Sequence, residues 1–229
     1  MSKLNFCIVI PVYNEESIIR DTINKALKFF KKYNFKIVII NDGSTDSTKK
    51  ILLKVKNKKI VIINKENQGH GKAIVTGYKK AITLKPEFIL QIDSDDQIPF
   101  GEFKKLLKHK DQFDCVVGKR KNRKDPISRK VISFILNKGL IFVLFGRYVD
   151  DANCPLRVIK TSFLKEIINQ ISFADVPNIL ISILAKKKSS YKSADVKHRQ
   201  RYIGVGIKYF KLLKLCLSSI LDILRFRFL

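Results

Sequence analysis

Through the first hundred residues, short apolar runs alternate with longer stretches that mix apolar and charged positions. Phe6-Cys7-Ile8-Val9-Ile10, Lys36–Ile40, Ile60–Ile63 and Phe88–Ile92 are nearly uninterrupted apolar runs of strand length, the pattern of strands buried on both faces. The segments ending near Lys32 and Thr83 have helical length and composition. Strands alternating with helices at this spacing predict an α/β protein with a Rossmann-like, mostly parallel sheet and helices on both faces. Each strand exits into a polar or glycine-bearing turn. These are Pro11-Val12-Tyr13-Asn14-Glu15-Glu16, with Pro11 expected to stop its strand, and Asn41-Asp42-Gly43-Ser44-Thr45-Asp46, with Asp46 as the expected N-cap of the next helix. Asn67-Gln68-Gly69-His70-Gly71-Lys72-Ala73 and Asp93-Ser94-Asp95-Asp96-Gln97 complete the set. All four turns belong to one edge of the sheet, where open α/β proteins bind ligands.

After Gln97 the pattern loosens. Residues 101–110 read as a helix, Cys115–Gly118 as a strand, and an apolar helix runs from about Val131 to Phe145. Residues 150–160 form a polar corner leading into a strand; a helix-rich stretch reaches Lys188, and a strand lies near Tyr191–Val196. With no internal repeat or linker, residues 1–206 read as one catalytic-sized domain and residues 207–229 as a C-terminal amphipathic helix. In that helix Lys208, Lys211, Lys214, Ser218, Asp222 and Arg225 make a polar stripe on an otherwise apolar surface. It either lies on a membrane or packs against protein. The basic flanks and the end Arg225-Phe226-Arg227-Phe228-Leu229 favour the membrane interface. No uncharged run approaches the roughly 18–20 residues that cross a bilayer, and no signal peptide is visible.

A hydrophobic content of 45% excludes disorder, and 229 residues bury a substantial core. The formal charge of +26 leaves two classes of partner: nucleic acid, or an anionic membrane surface and phosphorylated substrates. The charge is uneven, since residues 119–130 hold seven Lys/Arg against one acid. No nucleic-acid-binding motif accompanies it, and clustered carboxylates repel phosphate unless a metal intervenes. Nucleic-acid binding is therefore the remote alternative. Cys7, Cys115, Cys154 and Cys216 have no CxxC spacing and read as reduced thiols in a cytosolic compartment.

The acids after Phe88–Ile92 carry the chemistry. Asp93 and Asp95 lie two apart, on one side of an extended chain. Clustered acids invite a cation, and hard oxygen ligands suit Mg²⁺ or Mn²⁺ that also grips substrate phosphates; the plain alternative is a solvated acidic turn. Tyr13 and Glu15 have the chemistry to stack on a base and bond a ribose, and Asp42 offers an acceptor, although each alone fits an ordinary turn. Gly69 and Gly71 at a helix start allow a diphosphate to approach the backbone, with Lys72 adding charge. The spacing is not that of a Walker A loop. His70 reads as a surface loop residue rather than a ligand.

Taken in order, Pro11-Val12-Tyr13-Asn14-Glu15, Asn41-Asp42-Gly43-Ser44-Thr45-Asp46, Gly69-His70-Gly71-Lys72-Ala73 and Asp93-Ser94-Asp95 resemble the family 2 glycosyltransferases of GT-A fold. The resemblance covers about residues 5–206 and is nearest to the dolichyl-phosphate mannose synthase and polyprenyl-phosphate glycosyltransferase branch. It implies an inverting transfer of a hexosyl group from a nucleotide-sugar. The metal, Mg²⁺ or Mn²⁺, would be held by Asp93, Asp95 and Gln97, and the nucleotide by Pro11, Tyr13, Glu15, Asp42, Gly71 and Lys72. Asp93, Asp95, Arg120 and Arg201 would form the catalytic set, with Arg201 and Gly204 closing over donor and acceptor. Arg129 and Ser133 would hold the phosphate of a polyprenyl acceptor, as guanidinium forks suit phosphate. A phosphate acceptor is mostly dianionic at neutral pH and needs little base. A sugar hydroxyl of surface-glycan assembly, the alternative acceptor, needs one, with Asp150, Asp151 or Asp175 as candidates. Asp96 has no role in the pattern.

The chain also departs from the family. Cys154-Pro155-Leu156 stands where a Ser-Gly precedes the arginine near 157, and Val205-Gly206-Ile207-Lys208 follows Gly204 in place of Ser-Lys. With no Trp, the Gln-x-x-Arg-Trp signature of processive synthases is missing. The expected setting is cytoplasmic, peripheral on the inner membrane face, with an anionic membrane surface as partner.

Overall fold

A computed structural model describes residues 4–121, 139, 141–188, 190–199 and 209–228, with side chains of the last segment from 217 onward. Arg129, Ser133, Arg201 and Gly204, and residues 131–138 of the expected apolar helix, lie outside the described residues. Among the described residues the strands are β1 (Phe6–Val12), β2 (Phe35–Asp42), β3 (Ile60–Lys65), β4 (Phe88–Gln91), β5 (Cys115–Lys121), β6 (Arg157–Lys160) and β7 (Tyr191–Lys197). They form one sheet in the order β3-β2-β1-β4-β6-β5-β7. Only β6 runs against its neighbours; every other pairing is parallel. The strand order reverses between β1 and β4, and the carboxyl ends on either side of such a switch point diverge to leave a crevice.

The helices are α1 (Ile19–Phe30), α2 (Thr48–Leu53), α3 (His70–Thr83), α4 (Phe103–Leu107), α5 (Ile141–Phe145), α6 (Thr161–Ile167), α7 (Pro177–Lys187) and α8 (Tyr209–Phe228). Successive strand side chains point to opposite faces, so β1 has helices on both. Phe6 packs with Phe30 of α1 in an aromatic cluster that includes Phe35 and Phe103. On the other face α3 lies close to Val9. A Cβ on Gly77 would come within 2.4 Å of Val9 Cγ1 and 2.5 Å of Ile40 Cδ1, so glycine sets that approach.

Three boundaries differ from the sequence expectation. β1 continues through Pro11, which pairs with Ile40 of β2. The β1–β4 ladder ends at Val9 opposite Gln91, so the N–H that proline lacks has no β4 partner to lose. The strand before the acids stops at Gln91, and Asp93 to Asp96 form a turn; the period-two argument that put Asp93 and Asp95 on one side does not apply. Helix α2 starts at Thr48 with Ser47 as N-cap, yet Asp46 still accepts the Thr48 N–H at 2.9 Å. It also accepts the Glu16 N–H at 3.1 Å, joining the β1 and β2 turns.

Helix α8 is docked on the body of the protein. Ser219, Asp222 and Ile223 are buried, while Leu217, Leu221 and Phe228 are exposed. Of the polar stripe at this end, Asp222 faces inward, Ser218 is half-buried and Arg225 is exposed, while the apolar residues divide between the buried Ile223 and the outward-facing Leu217, Leu221 and Phe228. Among the described residues, no helix is long and apolar enough to cross a membrane.

Candidate active site

The ends of β1 and β2 and the start of α3 surround a cleft of about 650 Å³, closed on the far side by the start of α7 and by α8. Pro11, Tyr13, Asp42, Gly71, Asp175 and Ser218 line it. Tyr13 is exposed to the cleft, with its ring available for stacking. Asp42 is buried and holds the glycine turn in shape. Its Oδ1 accepts Lys65 Nζ at 2.6 Å and the Gln68 N–H at 3.1 Å, and its Oδ2 accepts the Gly69 N–H at 2.9 Å. A carboxylate has about four acceptor sites, so these bonds leave room for one ligand donor.

The two glycines of that turn serve different needs. Gly69 has φ +95°, a conformation that L side chains rarely adopt, and faces open space. At Gly71 a Cβ would lie 2.0 Å from the Asp175 carbonyl oxygen, so close packing against the α7 entrance requires glycine there. Lys72, expected at the nucleotide, is directed toward a loop in this structure. Its ammonium donates to the Phe173 carbonyl and, at 3.4 Å, to that of Ser172, and it is absent from the cleft lining. As the third residue of α3 it points back over the helix start toward this loop, away from the place a diphosphate would take. Glu15 also lies outside the lining. It is buried, its N–H donates to Thr48 Oγ1 at 2.8 Å, and its carbonyl accepts from Ile19 at the start of α1.

Beside this cleft a small pocket is lined by Asp93, Asp95, Gln97, Arg120, Pro155 and His198. The turn after β4 distributes its acids. Ser94 is turned inward, and its carbonyl accepts Thr22 Oγ1 of α1 at 3.1 Å. Asp95 Oδ1 accepts the Gln97 N–H at 3.1 Å. Asp96, with φ 56°, turns away and pairs with Lys25 at 2.7 Å, which explains its lack of a role. His70 Nε2 lies 3.4 Å from Asp93 Oδ1, so the histidine read as a loop residue connects the cleft to the pocket.

Asp93 Oδ1 is buried and, among the described residues, has no hydrogen-bond partner; its ionisable neighbour is His70 Nε2, at 3.4 Å. An orphaned buried carboxylate oxygen is costly unless a cation approaches it, so the residues fit a divalent ion. Among the described residues no group of three His, Cys, Asp or Glu side chains is arranged to hold one. Mg²⁺ commonly uses one or two protein carboxylates, with waters and substrate phosphates completing its shell, and Asp93 with Asp95 would supply such a set.

Arg120 faces the same pocket but is held by Asp151. Nε and Nη2 donate at 2.8 and 2.6 Å to the two carboxylate oxygens, and the Arg120 N–H donates at 3.0 Å. Burial alone pulls the guanidinium pKa down; the paired carboxylate outweighs it and holds the pKa above the ordinary value. The candidate bases thereby separate. Asp151 is committed to Arg120 and Asp150 to Lys119 at 3.1 Å, whereas Asp175 lines the cleft.

Arg157, just after the departing Cys154-Pro155-Leu156, is fully buried. It donates to the Cys154 and Ala152 carbonyls at 2.9 and 2.5 Å and to Ser182 Oγ at 3.2 Å. It fixes the corner from which Asp151 reaches Arg120. The sequence reading missed this relay and the contributions of His70 and Ser218. A charge at the start of an apolar strand was the one visible signal, at Arg157.

The sequence profile of Glycosyl transferase family 2 matches residues 7–168. A UDP-N-acetylglucosamine–dolichyl-phosphate N-acetylglucosaminyltransferase of Methanococcus voltae is 28% identical over 94% of this chain and 97% of its own length. An undecaprenyl-phosphate 4-deoxy-4-formamido-L-arabinose transferase of Photorhabdus laumondii is 29% identical over 86% of this chain, which spans 61% of that longer protein. An uncharacterized protein of Methanocaldococcus jannaschii is 34% identical over 78% of this chain and 81% of its own. The crystal structure of glucosyl-3-phosphoglycerate synthase from Mycobacterium tuberculosis, in complex with Mn²⁺, UDP-glucose and phosphoglyceric acid, superposes with TM-score 0.72. That superposition covers 97% of this chain and 79% of the synthase at 14% identity, a likeness of fold. The seven-stranded sheet, the ordered turns at its carboxyl edge and these matches agree: the chain belongs to glycosyl transferase family 2 and has its GT-A fold.

Proposed function

We propose that the protein is an inverting transferase that moves one hexosyl group from a nucleotide-sugar to a polyprenyl phosphate. The observation that carries the donor half is the buried Asp93 oxygen, without a hydrogen bond among the described residues and 3.4 Å from His70, at the junction between the acidic pocket and the Tyr13–Asp42–Gly71 cleft. The nucleoside lies in the large cleft, its base against Tyr13 and its ribose within reach of Asp42. The diphosphate runs past the α3 N-terminus, whose free N–H groups and dipole favour negative charge. Asp93 and Asp95, with Gln97 beside them, hold a divalent ion, Mg²⁺ or Mn²⁺. When bound, that ion neutralises the leaving nucleoside diphosphate as a Lewis acid. The Mn²⁺ and UDP-glucose in the mycobacterial synthase support this reading.

Lys72, whose ammonium donates to the Ser172 and Phe173 carbonyls, keeps its charge and adds to the positive potential at the α3 start. Arg120, held rigid by Asp151, presents its guanidinium to the acidic pocket, where charge develops as the glycosidic bond breaks. The polyprenyl-phosphate substrates in the names of the Methanococcus and Photorhabdus relatives support a phosphate acceptor. A dianionic phosphate attacks without a general base, in keeping with the commitment of Asp150 and Asp151 to cations. Arg129, Ser133 and Arg201 are proposed to complete the acceptor side. The exposed Leu217, Leu221 and Phe228 of α8 and the +26 charge support a peripheral position on the cytoplasmic face of an anionic membrane.

The test is transfer itself. Purified protein with Mn²⁺, a panel of UDP-, GDP- and CDP-sugars and a polyprenyl phosphate should yield a polyprenyl-phosphate sugar with inverted anomeric configuration. Product found only with sugar-hydroxyl acceptors would replace the acceptor half of the reading.

A further inference from the structure

A second cavity, of about 440 Å³, opens between α5, the C-terminal end of α7 and the last turn of α8. Its floor is apolar, built from Leu144, Phe145, Ile183 and Phe226. Its rim carries Arg147, Lys186, Lys187 and Arg227, and among the described residues no carboxylate lines it. Helix α7 is 11 residues long, so this cavity lies about 15 Å from the donor cleft at the other end of that helix.

Lys186 and Lys187 have an ordinary explanation, because cations suit the last turn of a helix. Arg227, in the last turn of α8, shares it. Arg147 does not: it comes from a loop, so cations from a loop and from the ends of two helices converge on one opening. Among the described residues Arg147, Lys187 and Arg227 have no carboxylate partner, and Lys186 only stacks over Tyr191 at 5.4 Å. Four like charges held together lower one another's stability unless an anion joins them. Beside the opening, Phe142 stacks on Tyr148 with centroids 4.6 Å apart; both are exposed, as are Val143 and Phe228. An apolar slot with a cationic rim, flanked by exposed aromatic rings, matches a molecule with a phosphate head and a hydrocarbon tail.

We infer that this cavity is a binding site for the headgroup of an anionic bilayer phospholipid, separate from the catalytic cleft. The phosphate sits among Arg147, Lys187 and Arg227, and the first part of the acyl chain lies over Phe145 and Phe226. The inference deepens the membrane half of the proposed function by naming which lipid is recognised and where. It gives the α8 end of the protein a fixed orientation on the membrane, with Phe142, Tyr148 and Phe228 at headgroup depth.

The experiment uses the full chain and two sets of vesicles, phosphatidylcholine alone and phosphatidylcholine with phosphatidylglycerol. One variant carries Arg147→Gln, Lys187→Gln and Arg227→Gln; a charge-matched control carries Lys49→Gln, Lys50→Gln and Lys54→Gln on exposed positions of α2 and just beyond it. The cavity variant should lose about tenfold or more in partition onto phosphatidylglycerol vesicles, and the control should stay within about twofold of the natural protein. Equal losses in both variants would mean that net charge alone governs binding; no loss in the cavity variant would leave the site without a ligand. Either result overturns the inference. Transfer to a short, water-soluble isoprenyl phosphate without vesicles should be unchanged in the cavity variant, and a loss there would reassign the cavity to the acceptor. If the natural protein turns over no nucleotide-sugar, the transferase reading fails while the vesicle comparison still decides the lipid site.

Discussion

Asp222, near the end of the last helix, accepts the backbone N–H of Val176 at 2.8 Å. The bond caps the entrance to α7, where the Asp175 carbonyl also fills the space that Gly71 leaves open. Ser218, one turn earlier on α8, lines the donor cleft. The C-terminal helix is thus part of the cleft wall, and Asp222 is a positioning residue for it. Burial raises the Asp222 pKa, against the lowering effect of the Val176 and Asp175 N–H groups.

Removing that carboxylate should loosen the cleft without touching the reacting atoms. Asp222→Ala should cost about 1–2 kcal/mol of stability, the usual scale for a lost helix cap. It should raise the donor KM several-fold with kcat little changed. Asp222→Asn retains an acceptor oxygen and should restore most of the donor affinity. An Asp222→Ala protein with reduced melting temperature but unaltered donor KM would confine the residue to a structural role.

The Arg120–Asp151 pair makes a sharper case. Both side chains are largely buried, at 14% and 9% exposure, so removing one partner leaves an uncompensated charge. Asp151→Ala should destabilise the protein by about 3–5 kcal/mol and abolish transfer. Asp150→Ala, which breaks a half-exposed pair with Lys119, should change stability by less than about 1 kcal/mol. Urea unfolding of the two variants side by side tests the contrast.

Much of this arrangement was legible in the chain, because buried parallel strands are short apolar runs and their exits are polar. The four turns, and the gathering of Tyr13, Asp42, Gly71, Asp93 and Asp95 at one edge, follow from that alternation. What escaped was direction within a turn. Of the three polar residues after Asp93, Ser94 is buried with its carbonyl bonded to Thr22, Asp95 lines the pocket and Asp96 pairs with Lys25, and no periodicity encodes that. Lys72 has the composition of a phosphate ligand but is captured by carbonyls a hundred residues away. His70 and Asp222 gain their roles only through tertiary contacts, which spacing along one element does not reveal.

Acid should weaken the fold through Glu102. Burial tends to raise its pKa, but Lys105 at 2.5 Å and the Lys197 N–H at 3.0 Å hold it below the ordinary carboxylate value. The folded state thus binds fewer protons than the unfolded state near the Glu102 titration. Its contribution is present above the unfolded pKa and is lost as pH falls through the depressed folded one. The urea midpoint should drop between about pH 5 and pH 3, and Glu102→Gln should flatten that drop. An identical pH profile in the variant would remove Glu102 from the explanation.

The buried thiols should be inert. Burial pushes Cys7 and Cys154 up to about 12 and Cys115 up to about 11, so almost no thiolate exists near neutrality. Iodoacetamide at about pH 8 should leave these three unmodified in the folded protein and label them after denaturation. Mass spectrometry of the intact chain counts the adducts, and rapid native labelling of any of the three would show its site to be open.

The account stands on a divalent ion joining Asp93 and Asp95 to the donor diphosphate, and calorimetric titration of nucleotide into the protein tests it most directly. UDP, GDP or CDP should bind with Mn²⁺ present and lose about tenfold or more in affinity when the ion is chelated. Asp93→Asn and Asp95→Asn should abolish the metal-dependent part of that binding, and transfer with it, while melting as sharply as the natural protein. Nucleotide binding that is indifferent both to chelation and to the loss of these carboxylates would contradict it.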